Sequence, residues 1–292
     1  MDGLSRTLRP ARSFPAIEIP RLPLKLSLIH AWRNGYWPDL QEPTTFNELV
    51  QARKLKDRSP LLPILADKAR VKDYVSRRLG REWVIPTLWV GKELPERPHW
   101  PLPFVLKSTH ASCNTAFVRT GEENWPAIRR RAARWLSRSY GAMLDEWLYR
   151  KIEPRLIAEP FIGEGGVLPF DYKFFVFGGR AQFVQVDTDR ERGHKRALFD
   201  CEWRRLPVEL QFPQETRDIA RPRSLHRMIE AAETLSRGFD FVRVDFYEVG
   251  DRPVFGEMTF YPGSGLDRFR PFSIDKLFGE HWLRARRSAP SW

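Results

Sequence analysis

Hydrophobic and polar residues alternate over two neighbouring stretches near the C-terminus, residues 242–247 and 255–261. Both stretches are rich in β-branched and aromatic residues, which favour strands. Gly250 and Asp251 interrupt the pattern between them, and such a pair is typical of a tight turn. The pattern therefore predicts a β-hairpin.

Alternation of side chains along this hairpin decides which polar residues share a face. Arg243 and Asp245 fall on one face of the first strand, and Glu257 and Thr259 are grouped in the same way on the second. With the turn centred on Asp251, Asp245 pairs opposite Glu257. Facing carboxylates repel unless a proton or a cation lies between them, and Mg²⁺ shared with substrate phosphates is the simplest such cation. An ordinary amphipathic hairpin with a solvated charged face explains the same pattern, and spacing alone does not choose between the two.

A second pair of strands is predicted in residues 103–119, with a loop of small polar residues between them. Lys107 stands at the end of the first strand. A lysine followed by accessible backbone N–H groups is a physically sensible way to hold phosphates. A hairpin that carries one surface lysine fits these residues as well.

Two further strand features contain charged residues. Glu159 lies in an apolar run directly before a proline. Residues 170–186 predict a hairpin around a Gly-Gly turn, and alternation places Asp171 and Lys173 on one face of its first strand.

Helical periodicity separates these strands, and the mixture predicts an α+β fold rather than a doubly wound parallel sheet, because no regular βαβ alternation occurs. A short helix begins after Thr45, which forms a capping box with Glu48, and Ser224 is expected to cap the last helix. The other helices are predicted in residues 65–80, 124–136, 140–151 and 224–238. Residues 1 to about 45 are rich in proline and arginine, which argues against long regular structure and predicts an arm around the body.

Composition narrows the class of partner. The formal net charge of +12 over 292 residues suggests an anionic partner: nucleotide phosphates, nucleic acid, an acidic polymer or a membrane surface. Cys113 and Cys201 are the only cysteines, so neither a disulfide framework nor a closed zinc site is supported. No apolar run approaches the length of a transmembrane segment. We expect a cytoplasmic protein that can rest on the inner membrane through basic residues.

Taken together and in order, the motifs resemble the TupA-like branch of the ATP-grasp superfamily over roughly residues 45–283. The segments that carry the resemblance are Phe46 to Glu48, Asp67-Lys68, Phe104 to Lys107 with His110, Glu159 to Ile162, Asp171 to Phe174, Arg243 to Asp245 and Gly256 to Pro262. The resemblance implies an ATP-grasp fold, in which two α+β subdomains grip ATP between them. We therefore expect an N-terminal arm with short helices in residues 1–62, the ATP-grasp domain in 63–292, and its small central subdomain in about 103–160.

The resemblance also implies an activity. ATP would phosphorylate a carboxylate in the presence of Mg²⁺, and an amine would then attack the acyl phosphate to form an amide. In this branch the setting is similar to the ligation of amino acids onto cell-surface polymers such as teichuronopeptide. A uronic acid or an amino acid would be the acceptor, and nucleic acid is not an expected partner.

The resemblance also implies roles for individual residues, through their positions in the matching motifs. The cofactor-binding residues would be Lys68, Lys107, Glu159, Phe161, Ile162 and Lys173, the catalytic residues Arg243 and Lys173, and the metal ligands Asp245, Glu257 and Thr259. Among them, Lys107 and Lys173 would lie near the phosphates, Glu159 would bond the ribose hydroxyls, and Arg243 would steady the transferred phosphoryl group.

Two departures from the family pattern stand out. ATP-grasp metal sites often place Asn two residues after the glutamate, where this chain has Thr259. The phosphate loop has Ala111 and Cys113 where glycines are expected, which could stiffen the loop or weaken the binding of ATP.

Other classes of protein compete with this interpretation. Asp187-Thr188-Asp189 ends an apolar strand in the Asp-x-Asp arrangement by which many nucleotide-sugar glycosyltransferases hold a metal. The positive charge and the eleven tryptophans would also suit a non-enzymatic polymer-binding protein. Covalent catalysis by Cys113 with His110 has less support, because no third group is evident. Phosphoryl transfer to a sugar, stopping before amide formation, would use the same ATP site.

Overall fold

Two larger antiparallel sheets and a separate two-stranded sheet are present in the computed structural model, which describes residues 21–191 and 193–288. The helices are α1 (Arg21–Asn34), α2 (Phe46–Lys56), α3 (Leu61–Ala66), α4 (Val71–Leu79), α5 (Trp125–Ser137), α6 (Trp147–Arg150), α7 (Leu225–Leu235) and α8 (Ser273–Ser288). The strands are β1 (Trp89–Gly91), β2 (Phe104–Ser108), β3 (Thr115–Val118), β4 (Leu156–Pro160), β5 (Asp171–Phe177), β6 (Arg180–Thr188), β7 (Lys195–Asp200), β8 (Arg205–Leu206), β9 (Glu209–Leu210), β10 (Phe241–Val249), β11 (Arg252–Thr259) and β12 (Phe269–Arg270). The α+β fold class expected from the sequence is confirmed.

The smaller sheet has four strands in the order β1-β4-β2-β3, and α5 packs against it. Its core is aromatic: Trp100, Phe104 and Trp125 lie in edge contact, with ring centroids 5.2 to 6.2 Å apart. Asn124 caps α5 by accepting a hydrogen bond from the backbone of Ala127, and Pro126 stands in the first turn, where no N–H partner is lost.

The larger sheet has six strands in the order β11-β10-β5-β6-β7-β8, with α7 and α8 packed against it. Phe46 of α2 is buried at the centre of this core, where its ring contacts those of Phe175, Phe241, Phe278 and Trp282 at 5.0 to 5.8 Å. The predicted capping box of Thr45 and Glu48 is present at the start of α2. The domain boundary predicted near residue 62 stays a prediction. Helix α2 lies on the N-terminal side of it and shares the core of the large sheet.

The hairpin of β10 and β11 has the predicted pairing of Asp245 with Glu257, but for a different reason. The turn is the two-residue pair Gly250 and Asp251, since Val249 pairs with Arg252. The register then shifts between Asp245 and Phe246. One extra residue, Gly256, is accommodated there as a β-bulge. Without that bulge, Asp245 would face residue 256 and the two carboxylates would lie on opposite faces.

The helix predicted over residues 65–80 is wrong in one respect, because the structure divides it into α3 and α4. The Asp67 carboxylate accepts hydrogen bonds from the backbone N–H groups of Ala69 and Arg70, at 2.8 and 3.1 Å. Such local bonds compete with the helical pattern. The break leaves Lys68 on a turn, where its N–H donates to the carbonyl of Thr109 at 3.1 Å.

Other helix predictions also need correction. Of residues 140–151, only α6 is helical, because Gly141 and Asp145 adopt positive φ values of 77° and 53°. The Ser224 hydroxyl does not cap α7 and instead donates to Glu248 at 2.7 Å.

The N-terminal prediction was wrong where the structure describes that segment. Residues 1–20 lie outside the described residues, but α1 is a regular helix of 14 residues. Pro23 is compatible with it because a proline in the first turn removes no intrahelical hydrogen bond. No helix in the described part of the chain is both long and apolar enough to cross a bilayer.

Candidate functional site

One face of the six-stranded sheet carries a row of opposite charges. Asp245 on β10 pairs with Glu257 on one side and with Lys173 of β5 on the other. Asp171, two residues before Lys173, pairs in turn with Asp187 of β6. Side chains opposite one another in adjacent strands share a face. The registers therefore bring predicted residues from three strands into one cluster.

Arg243 is the central cation of this cluster. Its guanidinium binds the Asp245 carboxylate with two hydrogen bonds of 2.8 and 2.7 Å. The same Nη2 atom lies 3.3 Å from Glu257 Oε1 and 3.1 Å from Thr259 Oγ1. Oxygen atoms of all three predicted metal ligands therefore converge on one cationic group.

Lys173 is buried beside Arg243. Its Nζ atom bonds Asp171 and lies 2.8 Å from Asp245 Oδ2, and it is 3.8 Å from Asp187. Although burial alone would lower the pKa of Lys173, Asp171 and Asp245 raise it above the ordinary value. Lys173 is therefore a fixed positive charge at neutral pH.

Asp245 and Glu257 differ in environment. Asp245 is buried, and its burial, with the nearby carboxylates of Asp171 and Glu257, raises its pKa against the opposing effect of its cationic neighbours. The side chain of Glu257 is 34% exposed, and its Oε2 atom accepts a hydrogen bond from Lys68 Nζ at 3.0 Å. Burial would raise the pKa of Glu257, but the cations Lys68, Lys173 and Arg243 hold it well below the usual range. Glu257 is thus ionised and open to a ligand.

The second group of predicted residues lies on the four-stranded sheet. Lys107 Nζ donates to Glu159 Oε2 at 2.8 Å, and Lys72 of α4 pairs with the other oxygen of the same carboxylate. Burial would raise the pKa of Glu159, but the two lysines lower it. Lys107 and Glu159 are therefore a preformed charged pair in the smaller sheet.

Phe161 and Ile162 are half-buried where the chain leaves β4. The ring of Phe161 meets that of Phe117 edge-on at 6.0 Å, and the Arg119 guanidinium lies over both rings. Arg119 also lines a cavity of about 510 Å³ that reaches Asp187 of β6 and Arg190 in the loop after it. None of the predicted cofactor-binding residues lines this cavity.

The residues present fit a magnesium ion. In residues 21–191 and 193–288, no three acidic, His or Cys side chains form a ready-made metal cage. Mg²⁺ does not need one, since it commonly uses one or two carboxylates together with substrate phosphates. Asp245, Glu257 and Thr259 offer only oxygen atoms, and those atoms already meet at a cation, the Arg243 guanidinium.

The residues that suggested a glycosyltransferase or covalent catalysis do not form a comparable cluster. Asp187 bonds Arg196 at 2.7 Å and Gln185 at 3.0 Å, whereas Asp189 pairs with Arg217, so the two carboxylates of the Asp-x-Asp motif have separate partners. Cys113 is exposed with a φ of 62°, a conformation that suits the glycine expected there. His110 is buried.

Sequence reasoning missed several charged residues of the site. Lys72 binds Glu159, and Arg190 donates to Asp171 at 3.1 Å while lying over the ring of Tyr247. Lys72 lies on α4, whereas Lys68 lies on the turn before it, so helical spacing does not relate the two lysines. Arg190 lies in a basic loop whose position no local pattern reveals.

Comparison with known proteins defines the class. The profile of the TupA-like ATPgrasp family matches residues 48–283, most of the chain. The protein is therefore an ATP-grasp protein, of the ATP-dependent ligase class, and it belongs to the TupA-like ATP-grasp family. The family, fold and enzyme class expected from the sequence are confirmed. A search of curated protein sequences found no match.

Solved structures resemble the chain at low identity. The D-alanine–D-alanine ligase of Bacillus anthracis complexed with ATP has 14% identity and a TM-score of 0.44, over 78% of this chain and 70% of that one. The L-amino acid ligase of Bacillus licheniformis has 12% identity and a TM-score of 0.45, over 75% of this chain and 50% of that one. The D-alanine–D-alanine ligase of Helicobacter pylori has 16% identity and a TM-score of 0.42, over 84% of this chain and 69% of that one.

Proposed function

We propose that the protein is a Mg²⁺-dependent ligase that joins a carboxylate to an amine through an acyl phosphate. The setting we propose is the cytoplasmic assembly of a cell-surface polysaccharide of the teichuronopeptide kind. The observation that carries the proposal is the pairing of Asp245 with Glu257 beside Arg243 and Lys173, in a chain of the TupA-like ATP-grasp family. Phosphoryl transfer depends mainly on positioning and charge neutralisation, and this cluster provides both.

Binding of ATP is the first task of the site. Lys107 and Lys68 are each half-buried and each hold one carboxylate, Glu159 and Glu257 respectively. Phosphate oxygens would take over these lysine hydrogen bonds. Glu159 keeps Lys72 as a partner and would accept the ribose hydroxyls with its other oxygen. The nucleotide would thus lie between the sheets, with the adenine near Phe161 and Ile162.

Transfer of the phosphoryl group is the second task. A substrate carboxylate oxygen would attack the terminal phosphorus, and the bond to the bridging oxygen would break to release ADP. Arg243 and Lys173, fixed by Asp245, would stabilise the negative charge on the transferred group. Mg²⁺, held by Asp245, Glu257 and Thr259, would neutralise phosphate charge when bound.

Amide formation completes the proposed reaction. The amine would attack the acyl carbon, phosphate would leave with the bonding electron pair, and the nitrogen would lose a proton. A uronic acid or an amino acid is the proposed acceptor class. The glycosyltransferase alternative receives less support, because Asp187 and Asp189 are bonded to different arginines.

Trapping with hydroxylamine tests the proposal directly. The protein would be incubated with ATP, Mg²⁺ and a panel of uronic and amino acids. Hydroxylamine would convert any acyl phosphate to a hydroxamate with release of phosphate, and added iron(III) would form a coloured complex with the hydroxamate. We expect ADP and hydroxamate in equal amounts with at least one acceptor, and neither with Glu257→Gln, which keeps the buried pairs of Lys173 intact. ADP without hydroxamate, together with a stable sugar phosphate, would show that the enzyme is a kinase instead.

A further inference from the structure

A second basic surface lies away from the ATP site. A cavity of about 1180 Å³ is bordered by the turn after β5, the loop between α7 and β10, and the last turns of α8. Six arginines and two aspartates line it, and none of the predicted site residues does. Asp240 at this cavity and Asp245 at the site are five residues apart, about 17 Å along an extended strand. We name this cavity the arginine groove.

The arginines of this groove fall into two groups. Arg53 and Arg286 are used by the fold, since both bind Asp240. Arg78, Arg237 and Arg284 are exposed, and the described part of the chain gives their side chains no ion pair or hydrogen bond. Arg180 is 78% exposed and has only a long contact of 3.7 Å with Glu233.

Such clustering is unfavourable without a partner, because like charges that share one concave surface repel one another. An anionic ligand would remove that repulsion and would receive bidentate hydrogen bonds from the guanidinium groups. The groove is larger than the roughly 300–1,000 Å³ pockets that hold small molecules, so an extended chain with repeated anionic groups fits it better.

The aromatic side chains of the groove favour a glycan over a nucleic acid. Proteins that bind single-stranded nucleic acid without sequence preference stack its bases on exposed aromatic rings. Here the ring of Tyr74 is covered by Arg78 at 3.6 Å, Phe177 is buried, and Phe239 packs against Phe260 at 5.4 Å. Guanidinium groups rather than rings are therefore what the groove offers.

We propose that the arginine groove binds an acidic polysaccharide chain through its carboxylates, at a distance from the reaction. This inference rests on the proposed function, because the bound chain would be the polymer on which the ligase acts. A second, remote attachment raises the effective concentration of the polymer at the ATP site. It would therefore increase the apparent affinity for long acceptors and leave short ones unaffected.

The test uses fluorescein-labelled polygalacturonate oligomers as the probe and fluorescence anisotropy as the readout. The groove variant carries Arg180→Gln, Arg237→Gln and Arg284→Gln, three exposed positions. The matched control carries Arg130→Gln, Arg134→Gln and Arg138→Gln, also exposed and with the same loss of charge. We expect binding by the wild type that weakens with added salt, a loss of roughly tenfold or more in the groove variant, and less than twofold in the control.

Three outcomes would overturn the proposal. Equal losses in both variants would show that net charge alone attracts the polymer, and no binding by the wild type would remove the site. Tighter groove-dependent binding of poly(A) RNA or polyphosphate than of polygalacturonate would show that the ligand is not a glycan. Stabilisation by ATP and Mg²⁺, measured on the same variants, is independent of the groove, so failure of the ligase proposal would be seen separately.

Discussion

Substitution of Glu257 by glutamine isolates the metal and phosphate site with little damage to the fold. Asp245 is less suitable, because it is buried between Arg243 and Lys173, and removal of one partner from such a buried group costs about 3–5 kcal/mol. Glu257 is 34% exposed, so its ion pair with Lys68 contributes at most about 1 kcal/mol. The variant should therefore fold.

The expected magnitude follows from binding linkage. A ligand at a hundred times its dissociation constant stabilises the folded state by about 2.7 kcal/mol, which corresponds to an increase of roughly 5–10 °C in Tm. We expect this increase for the wild type only when ATP and Mg²⁺ are both present. Glu257→Gln should lose most of it, because a neutral amide binds the ion poorly.

Differential scanning fluorimetry with ATP, Mg²⁺ and both together provides the assay. Glu230→Gln is the control, since Glu230 is an exposed helical carboxylate outside the site. A Glu257→Gln variant that responds like the wild type would refute the metal role of Glu257. A folded wild type that does not respond at all would refute the ATP site.

Three further predictions follow from individual contacts. Lys107→Met should weaken ATP binding by roughly ten- to a hundredfold in calorimetry, because a charged hydrogen bond of about 1.5–3 kcal/mol to phosphate is lost. Burial lowers the pKa of His30 to about 4 from 6.5, so the unfolded chain binds the extra proton and stability falls as the pH decreases through that window. Urea titrations should show His30→Gln losing about 3 kcal/mol of this pH dependence. Phe46→Ala should reduce the free energy of unfolding by about 3–5 kcal/mol in the same assay, because the ring is 2% exposed among other aromatics.

Each of these three predictions has a result that would contradict it, and the binding prediction also has a control variant. Lys151→Met, at an exposed lysine, should leave ATP binding unchanged, and equal binding by Lys107→Met would remove that residue from the site. Parallel pH curves for wild type and His30→Gln would show that His30 titrates normally. A loss below 1 kcal/mol for Phe46→Ala would mean that α2 does not anchor the core.

The hairpin shows how much of this site local pattern could predict. Alternation correctly grouped Arg243 with Asp245 on β10 and Glu257 with Thr259 on β11, because side-chain direction along one strand depends on position. The register came out right although the turn was centred one half-residue too late, since the bulge at Gly256 restored the pairing. A bulge depends on the neighbouring strand, and no spacing rule reveals it.

The sequence by itself determined the strands that carry the predicted site residues, the order of the motifs and the family, because these depend on local alternation and on residues in fixed sequence. Strand β7 and helix α8 were not predicted. Only the tertiary structure decided which cation meets which carboxylate. Lys68 and Glu257 are 189 residues apart, and the contact exists because Asp67 breaks the helix predicted there. The arginine groove likewise combines segments from α2 to α8. Long-range charge pairing follows from packing, and packing is a property of the whole chain.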